Sequence, residues 1–428
     1  MLRAHLPCHA SSSGRCHVYV YRGEGAGWRS VRSTFESLQR LLPEQYEVST
    51  LTAAELVDGS WTSEAALLVM PGGADLPYCN RLNGKGNTII QGFVRAGGSY
   101  LGLCAGAYYA SSRVQFEQGS RLQVVGDREL GFFPGIACGA AYPGFDYQTE
   151  AGAVAANVQF AVPPALAQQL QQQQGSTPLQ EHCSSSWCFT HDYSNGGPVF
   201  VTHDMQLDVS SLPGVQVLAT YCALPDRHGL NLSRQQQQHE DQQQLQQHPG
   251  LLHHAVAGKQ PAAAVRCSVG AGVAVLCGSH PELEPHWLDV CGWSTERPRP
   301  GSHQTTAAEQ AVAASAGGRG STAAAAAAAD TGGSSRVARP AVAVLEGAVA
   351  AGQHSPRAMQ QQHEQRNAVK AVPASNRASG VHEAGQLKVC EDVRLEQHTE
   401  ALRRVLAASQ EQRDLFLSCL LYEVLRRA

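Results

Sequence analysis

Cys104 stands between Gly102 and Gly106, after a short apolar run at residues 99–103 and before a helix-forming run that begins at about Ala105. A G-x-nucleophile-x-G spacing of this kind describes a sharp strand-to-helix turn that lifts one side chain to the end of a sheet. The two glycines remove side chains that would crowd the turn and an approaching substrate. Next to a helix N-terminus, the dipole and the free N–H groups favour thiolate over thiol. A thiolate nucleophile needs a base, and the base needs an orienting group. His280 and Glu282, two residues apart just after the apolar run 272–277, supply both. Pro71-Gly72-Gly73 follows another apolar run, residues 65–70. The Gly73 N–H, with that of Ala105, would form an oxyanion hole. Gly72, Asp75 and Tyr78 around that turn, Tyr108 beyond the cysteine, and Asn195-Gly196 are the candidates for the substrate pocket.

These groups must be carried by elements that end side by side. The run 17–21 alternates like a strand and the loop 22–27 is glycine-rich. Residues 28–42 form an amphipathic segment with Val31, Phe35, Leu38 and Leu42 on one face, stopped by Pro43. A strand over 46–51, a short helix over 52–57, a buried strand over 65–70 and a helix over 87–96 then lead into the cysteine strand. This β-α-β-α rhythm predicts an α/β domain with a mostly parallel sheet flanked by helices, whose working residues lie at strand C-terminal ends. Residues 131–135 and 139–144 read as loops, and 198–201, 215–221 and 265–277 as further strands, the last pair a hairpin.

Composition limits the rest. The chain has 428 residues, a net charge of −4 and 6% aromatic residues, with Gln and Ala gathered into tracts. That charge points to neither nucleic acid nor an anionic membrane as partner. No run reaches the ~18 apolar residues of a membrane span. Thirteen cysteines, odd in number and mostly inside apolar segments, fit a reducing compartment and a cytoplasmic protein. The first sixteen residues carry arginines and serines without an acid, a weak likeness to an organelle transit peptide. His182, Cys183, Cys188 and His191 do not have the spacing of a structural zinc site, so no metal is expected.

The expected organisation is an N-terminal extension (1–16), an α/β domain (17–293) with disordered Gln-rich insertions at about 166–186 and 228–260, a low-complexity linker (294–386) and C-terminal helices (387–428) that pack back on the domain. In that last segment apolar residues recur at helical spacing, with a break near Ser409.

In order and spacing, Pro-Gly-Gly, then G-x-C-x-G, then His-Pro-Glu resemble the class I glutamine amidotransferases, and so imply their flavodoxin-like fold. Residues 71–78, 102–109, 112–119, 129–135, 218–221 and 280–282 narrow the resemblance, over about 17–289, to the N-terminal domain of fungal and other eukaryotic biotin-protein ligases. The resemblance implies a Cys104-His280-Glu282 triad for amide hydrolysis or amide-nitrogen transfer, no cofactor, a small-molecule amide substrate, and a synthetase or ligase as partner. The alternative it leaves open is a non-catalytic ligand- or partner-binding module associated with biotin-ligase function. Two departures qualify the implied activity. Biotin ligation by this chain alone is not expected, because the family's ligase motifs have no counterpart here. Tyr108 occupies the place where glutamine-hydrolysing members carry a glutamine, which puts glutamine as substrate in question.

Overall fold

The computed structural model describes residues 15–173, 183–184, 187–225, 260–289 and 381–426. The chain divides into a unit of Met1–Arg297 with Val389–Ala428 and a second unit, Pro298–Lys388; the sheet and the site belong to the first. Residues 1–14 of the expected extension 1–16, the core of both Gln-rich insertions and the low-complexity stretch up to residue 380 lie outside the described residues.

The strands are β1 (His17–Tyr21), β2 (Glu47–Leu51), β3 (Ala65–Met70), β4 (Ser99–Leu103), β5 (Ser111–Phe116), β6 (Val124–Asp127), β7 (Phe133–Gly139), β8 (Val154–Ala161), β9 (Cys183–Ser184), β10 (Trp187–Ser194), β11 (Val199–Val201), β12 (Val215–Tyr221), β13 (Ala262–Val269) and β14 (Gly272–Cys277). The helices are α1 (Trp28–Leu41), α2 (Ala53–Asp58), α3 (Asp75–Leu82), α4 (Lys85–Arg95), α5 (Ala105–Ala110), α6 (Pro164–Gln173), α7 (Val381–Ala408) and α8 (Gln410–Leu425). One end of the sheet runs β2-β1-β3-β4-β14, all parallel. This is the strand order of a flavodoxin-like doubly wound sheet, and the expected α/β fold is present. Beyond β14 the sheet continues through β13, β11, β7, β5 and β6, with β12, β8, β10 and β9 branching from β13.

The parallel strands are apolar on both faces because helices cover both. Val18, Val20, Leu67, Val69, Leu101, Leu103, Val275 and Cys277 pack with Leu38 and Leu41 of α1 and with Leu415, Phe416, Leu420 and Val424 of α8. The alternate residues Leu68, Met70, Tyr100, Ala274 and Leu276 pack on the other side with Leu56 of α2 and Ile90, Phe93 and Val94 of α4. The α2 start is set by a capping box, in which Thr52 accepts from the Glu55 N–H while the Glu55 carboxylate takes the Thr52 N–H.

Several boundaries differ from the sequence reading. Residues 133–135 and 139, within stretches read as loops, belong to strand β7, held between β5 and β11. The stretch read as a disordered insertion from 166 begins as helix α6, with Leu166 buried. Helix α7 starts at Val381, inside the stretch read as linker. The expected face of α1 holds at Val31, Leu38 and Leu42, which pack in or against the core, but not at Phe35, which is only partly buried, and the helix also buries Arg29, Ser30, Ser33, Thr34, Ser37 and Leu41.

Phe416 of α8 is fully buried with its ring 4.9 Å from that of Phe160. Truncating a buried phenylalanine removes its burial and leaves a cavity. Phe416→Ala is therefore expected to destabilise the first unit by about 3–5 kcal/mol, read as a lower midpoint in urea unfolding with the slope unchanged.

Candidate active site

Three neighbouring strands, β3, β4 and β14, end together, and the three motifs follow them directly. After β4 the chain turns at Cys104 with φ 47° and ψ −101°, a left-handed conformation for a residue with a side chain. The turn is pinned by the Cys104 N–H donating to the Cys277 carbonyl at 2.8 Å, and the Cys104 carbonyl accepts from the N–H groups of Ala107 and Tyr108, each at 3.0 Å. Side chains on the flanking glycines are excluded by backbone. A Cβ on Gly106 would stand 2.0 Å from the Met70 carbonyl oxygen, and one on Gly102 2.5 Å from that of Gly106.

After β14, His280 is completely buried, and its Nδ1 lies 2.8 Å from Oε1 of Glu282, itself 1% exposed. The Cys104 side chain is near enough to act on the imidazole electrostatically. Burial works against a charged imidazole, but the opposite charges of Glu282 and Cys104 outweigh it and push the His280 pKa up to about 10. The histidine is held from behind. Its N–H donates to the Tyr193 carbonyl at 2.8 Å, and the Tyr193 ring stands edge-on to it at 5.6 Å. The Tyr193 hydroxyl donates to Glu150, which pairs with fully buried Arg29 at 2.7 Å.

After β3, the Gly73 N–H and the Ala105 N–H have no hydrogen-bond acceptor among the described residues. Gly73 sits at φ 151°, where a Cβ would be 2.0 Å from the Gly25 carbonyl oxygen. Both residues line a narrow cleft together with Asp75, Cys104, Tyr108, Asn195 and Gly196. Tyr108 is inside the wall, its hydroxyl donating to the Gly196 carbonyl at 2.9 Å.

Two expected pocket residues are not part of it. Tyr78 is fully buried below the turn, its hydroxyl donating to the Pro71 carbonyl and its ring packed on Tyr21 and Tyr109. Gly72 is used up internally, its N–H donating to Ser30 and its carbonyl accepting from Gly27. Cys188 is disulfide-bonded, so it is not available as a metal ligand, and no cluster of metal-ligating side chains occurs among the described residues.

The structure adds residues that the motifs did not indicate. Ser30 of α1, fully buried, accepts the Gly72 N–H at 2.8 Å and donates to Glu282 Oε1 at 3.0 Å. It thereby joins the Pro-Gly-Gly turn to the carboxylate behind His280. Ser37 donates to the Glu282 carbonyl at 3.0 Å. The signal was present in the sequence: Ser30, Ser33, Thr34 and Ser37 are spaced to form a polar stripe along one helix face. Arg413 of α8, also fully buried, donates to Asp192 at 3.0 Å, to the His280 carbonyl at 3.0 Å and to the Leu283 carbonyl. No local pattern marks it, because its partners lie far away in the chain. Phe116, Phe145 and Tyr147 complete the cleft wall.

The raised pKa of His280 makes a stability prediction. A group that holds its proton more tightly when folded contributes fully at pH values below its unfolded pKa, near 6.5, and loses that contribution as pH rises through about 10. The difference in unfolding midpoint between the wild type and His280→Gln is expected to shrink steadily over this window, measured by denaturant melts at fixed ionic strength.

A family model described as the N-terminal region of biotin-protein ligase matches residues 16–314. The biotin–protein ligase of Schizosaccharomyces pombe is 36% identical over 206 residues, covering 48% of this chain and 28% of that protein. An uncharacterized protein of Chlamydia muridarum is 40% identical over 146 residues, covering 33% of this chain and 56% of that one. The matched segments are thus well short of the full length of either relative. Among solved structures, a glutamine amidotransferase has 16% identity and a TM-score of 0.34, covering 64% of this chain and 97% of that chain. PurLQS from Thermotoga maritima has 13% identity and a TM-score of 0.32, covering 63% and 88%. With the family model spanning more than half its length, this chain belongs to the biotin-protein ligase N-terminal family.

Proposed function

We propose that the protein is a thiol-dependent amidase of the glutamine amidotransferase type, with Cys104 as nucleophile, His280 as acid and base, and Glu282 as the group that orients His280. The observation that carries the reading is the placement of the buried His280–Glu282 pair after β14, beside a cysteine held at positive φ at the end of the neighbouring parallel strand. In the reaction, the Cys104 sulfur attacks the carbonyl carbon of a small-molecule amide, and its oxygen gathers negative charge facing the Gly73 and Ala105 N–H groups. The tetrahedral adduct collapses as His280 gives its proton to the leaving nitrogen, so that the C–N bond breaks and a thioester remains. Water then attacks the thioester and passes a proton to His280. The C–S bond breaks to release the carboxylic acid and return the sulfur as thiolate beside the protonated His280, ready for the next cycle. A protonated His280 at neutral pH suits the first half of this cycle, because the leaving nitrogen needs the proton.

The same chemistry serves amide-nitrogen transfer where a second protein takes up the released ammonia. The partner we propose is a ligase or synthetase, on the ground that the Schizosaccharomyces pombe relative is itself a biotin–protein ligase. A cytoplasmic site of action goes with that partner. No helix among the described residues is long and apolar enough to cross a membrane.

The test is ammonia release from a panel of small amides, with Cys104→Ala as the blank. Turnover by the wild type is expected to vanish in the blank and to fall about 10²–10⁴-fold in His280→Ala, the usual yield of positioned acid–base catalysis. Turnover that stays at the blank for every amide, with Cys104 no more reactive than free glutathione, would leave the non-catalytic binding module as the surviving alternative.

A further inference from the structure

The walls of the cleft carry information about the substrate that the catalytic groups do not. Its apolar side is a series of rings meeting edge to face: Tyr108 on Phe116 at 5.7 Å, Phe116 on Phe145 at 5.2 Å, and Phe145 on Tyr147 at 4.6 Å. The Tyr108 hydroxyl is already spent on Gly196, so its ring is what remains for a ligand. Burial pushes the phenol pKa values of Tyr108 and Tyr147 upward, so both walls are neutral at any ordinary pH.

Among the described lining residues the ionisable side chain in front of Cys104 is Asp75, and it is neutralised within the protein. Nε and Nη2 of Arg128 lie 2.8 and 2.6 Å from its Oδ2, with Arg128 4% and Asp75 12% exposed. A free amino acid would bring an ammonium and a carboxylate into this cleft and find no unpaired countercharge for either. Stripping water from such groups without compensation is costly.

The remaining polar group is Asn195, which lines the same cleft and is 2% exposed. Neither its Nδ2 nor its Oδ1 has a hydrogen-bond partner among the described residues. A buried amide in this condition is unfavourable. It is relieved by a planar ligand edge that offers an acceptor and a donor side by side, as a carboxamide, lactam or ureide does.

Resting on the reading of Cys104 as nucleophile, we infer that the site selects an uncharged substrate with a flat body that packs among the rings and an amide-type edge that pairs with Asn195, in preference to a free amino acid such as glutamine. Asn195 is then the residue that sets specificity.

The experiment compares three chloromethyl ketones that share one electrophile. These are 4-(chloroacetyl)benzamide, which is flat, neutral and bears the carboxamide; chloroacetophenone, which lacks it; and the zwitterionic chloroketone analogue of glutamine. In each case the Cys104 sulfur displaces chloride, so that an S–C bond forms as the C–Cl bond breaks and the ketone is retained. Labelling of Cys104 in the full chain is followed by peptide mass spectrometry, and each rate is divided by that with glutathione. The carboxamide reagent is expected to saturate and to label at least about tenfold faster than the zwitterion, one well-made buried hydrogen bond being worth roughly a tenfold factor. Asn195→Ala should bring it down to the rate of chloroacetophenone. Asn195→Asp, nearly isosteric, removes the donor and stands in should the alanine variant melt early. Faster labelling by the zwitterion, or a rate ratio unmoved in a folded Asn195 variant, overturns the inference while leaving Cys104 as a nucleophile. Labelling no faster than glutathione by all three overturns the nucleophile reading and this inference with it.

Discussion

The site is organised around the burial of one carboxylate. Glu282 is 1% exposed, and an isolated carboxylate at that depth would take up a proton rather than stay charged. Its Oε1 receives Ser30 at 3.0 Å and His280 at 2.8 Å, whereas Oε2 has no hydrogen-bond partner among the described residues. Compensation therefore falls on one oxygen and two donors, and both donors must be positioned accurately. That requirement accounts for the buried polar stripe of α1, which supplies Ser30 to the carboxylate and Ser37 to the Glu282 carbonyl. It accounts also for the Tyr193, Glu150 and Arg29 assembly behind the imidazole. The same pairing raises the affinity of His280 for its proton, so the charge that orients the histidine also sets its acid strength.

Against this fixed pair stands the left-handed turn at Cys104. A non-glycine residue in such a conformation costs on the order of 1–3 kcal/mol and persists only where surrounding structure over-determines it. Here three things do so: the parallel pairing of β4 with β3 and β14, the hydrogen bond from the Cys104 N–H to the Cys277 carbonyl, and the glycines at 102 and 106. Because Cys277 ends β14, the strand that restrains the cysteine also delivers His280 three residues later. One parallel pairing thus sets the distance between the sulfur and the imidazole.

What could be read from the sequence divides along the same line. Pro71-Gly72-Gly73, Cys104 with its two glycines, and His280-Pro-Glu282 were legible because each is a local solution to a local problem: close backbone approach, a sharp turn, or two partners two residues apart. The parallel strands were legible from their unbroken apolar runs. Strand β7 was not, because Gly131, Pro134 and Gly135 carry turn chemistry, while its conformation is decided by pairing with β5 and β11 on either side. Tyr78 was misplaced for a related reason. Its position after the glycine turn suggested the cleft, whereas the hydroxyl reaches back to Pro71 and takes the ring into the core. The apolar spacing of α1 told only part of its packing, since Leu38 and Leu42 reach the core while the serines and threonine face inward as well.

The helix that ends the described chain shows how far such long-range dependence reaches. Most of its inward residues are ordinary core: Leu415, Phe416, Leu420 and Val424 cover the same sheet face as α1. Arg413 is different. A fully buried guanidinium requires countercharge and acceptors, and it finds them in Asp192 and in the carbonyls of His280 and Leu283. Burial pushes the Asp192 carboxyl toward its protonated form and Arg413 pulls it back. Removing the helix would take the guanidinium away from Asp192 and would free two carbonyls on either side of Glu282. The loop that presents His280 is therefore held from one side by α1 and from the other by α8, elements separated by most of the chain. The α/β core up to β14 contains the chemical groups of the site, but the geometry of those groups is completed only when α8 is in place.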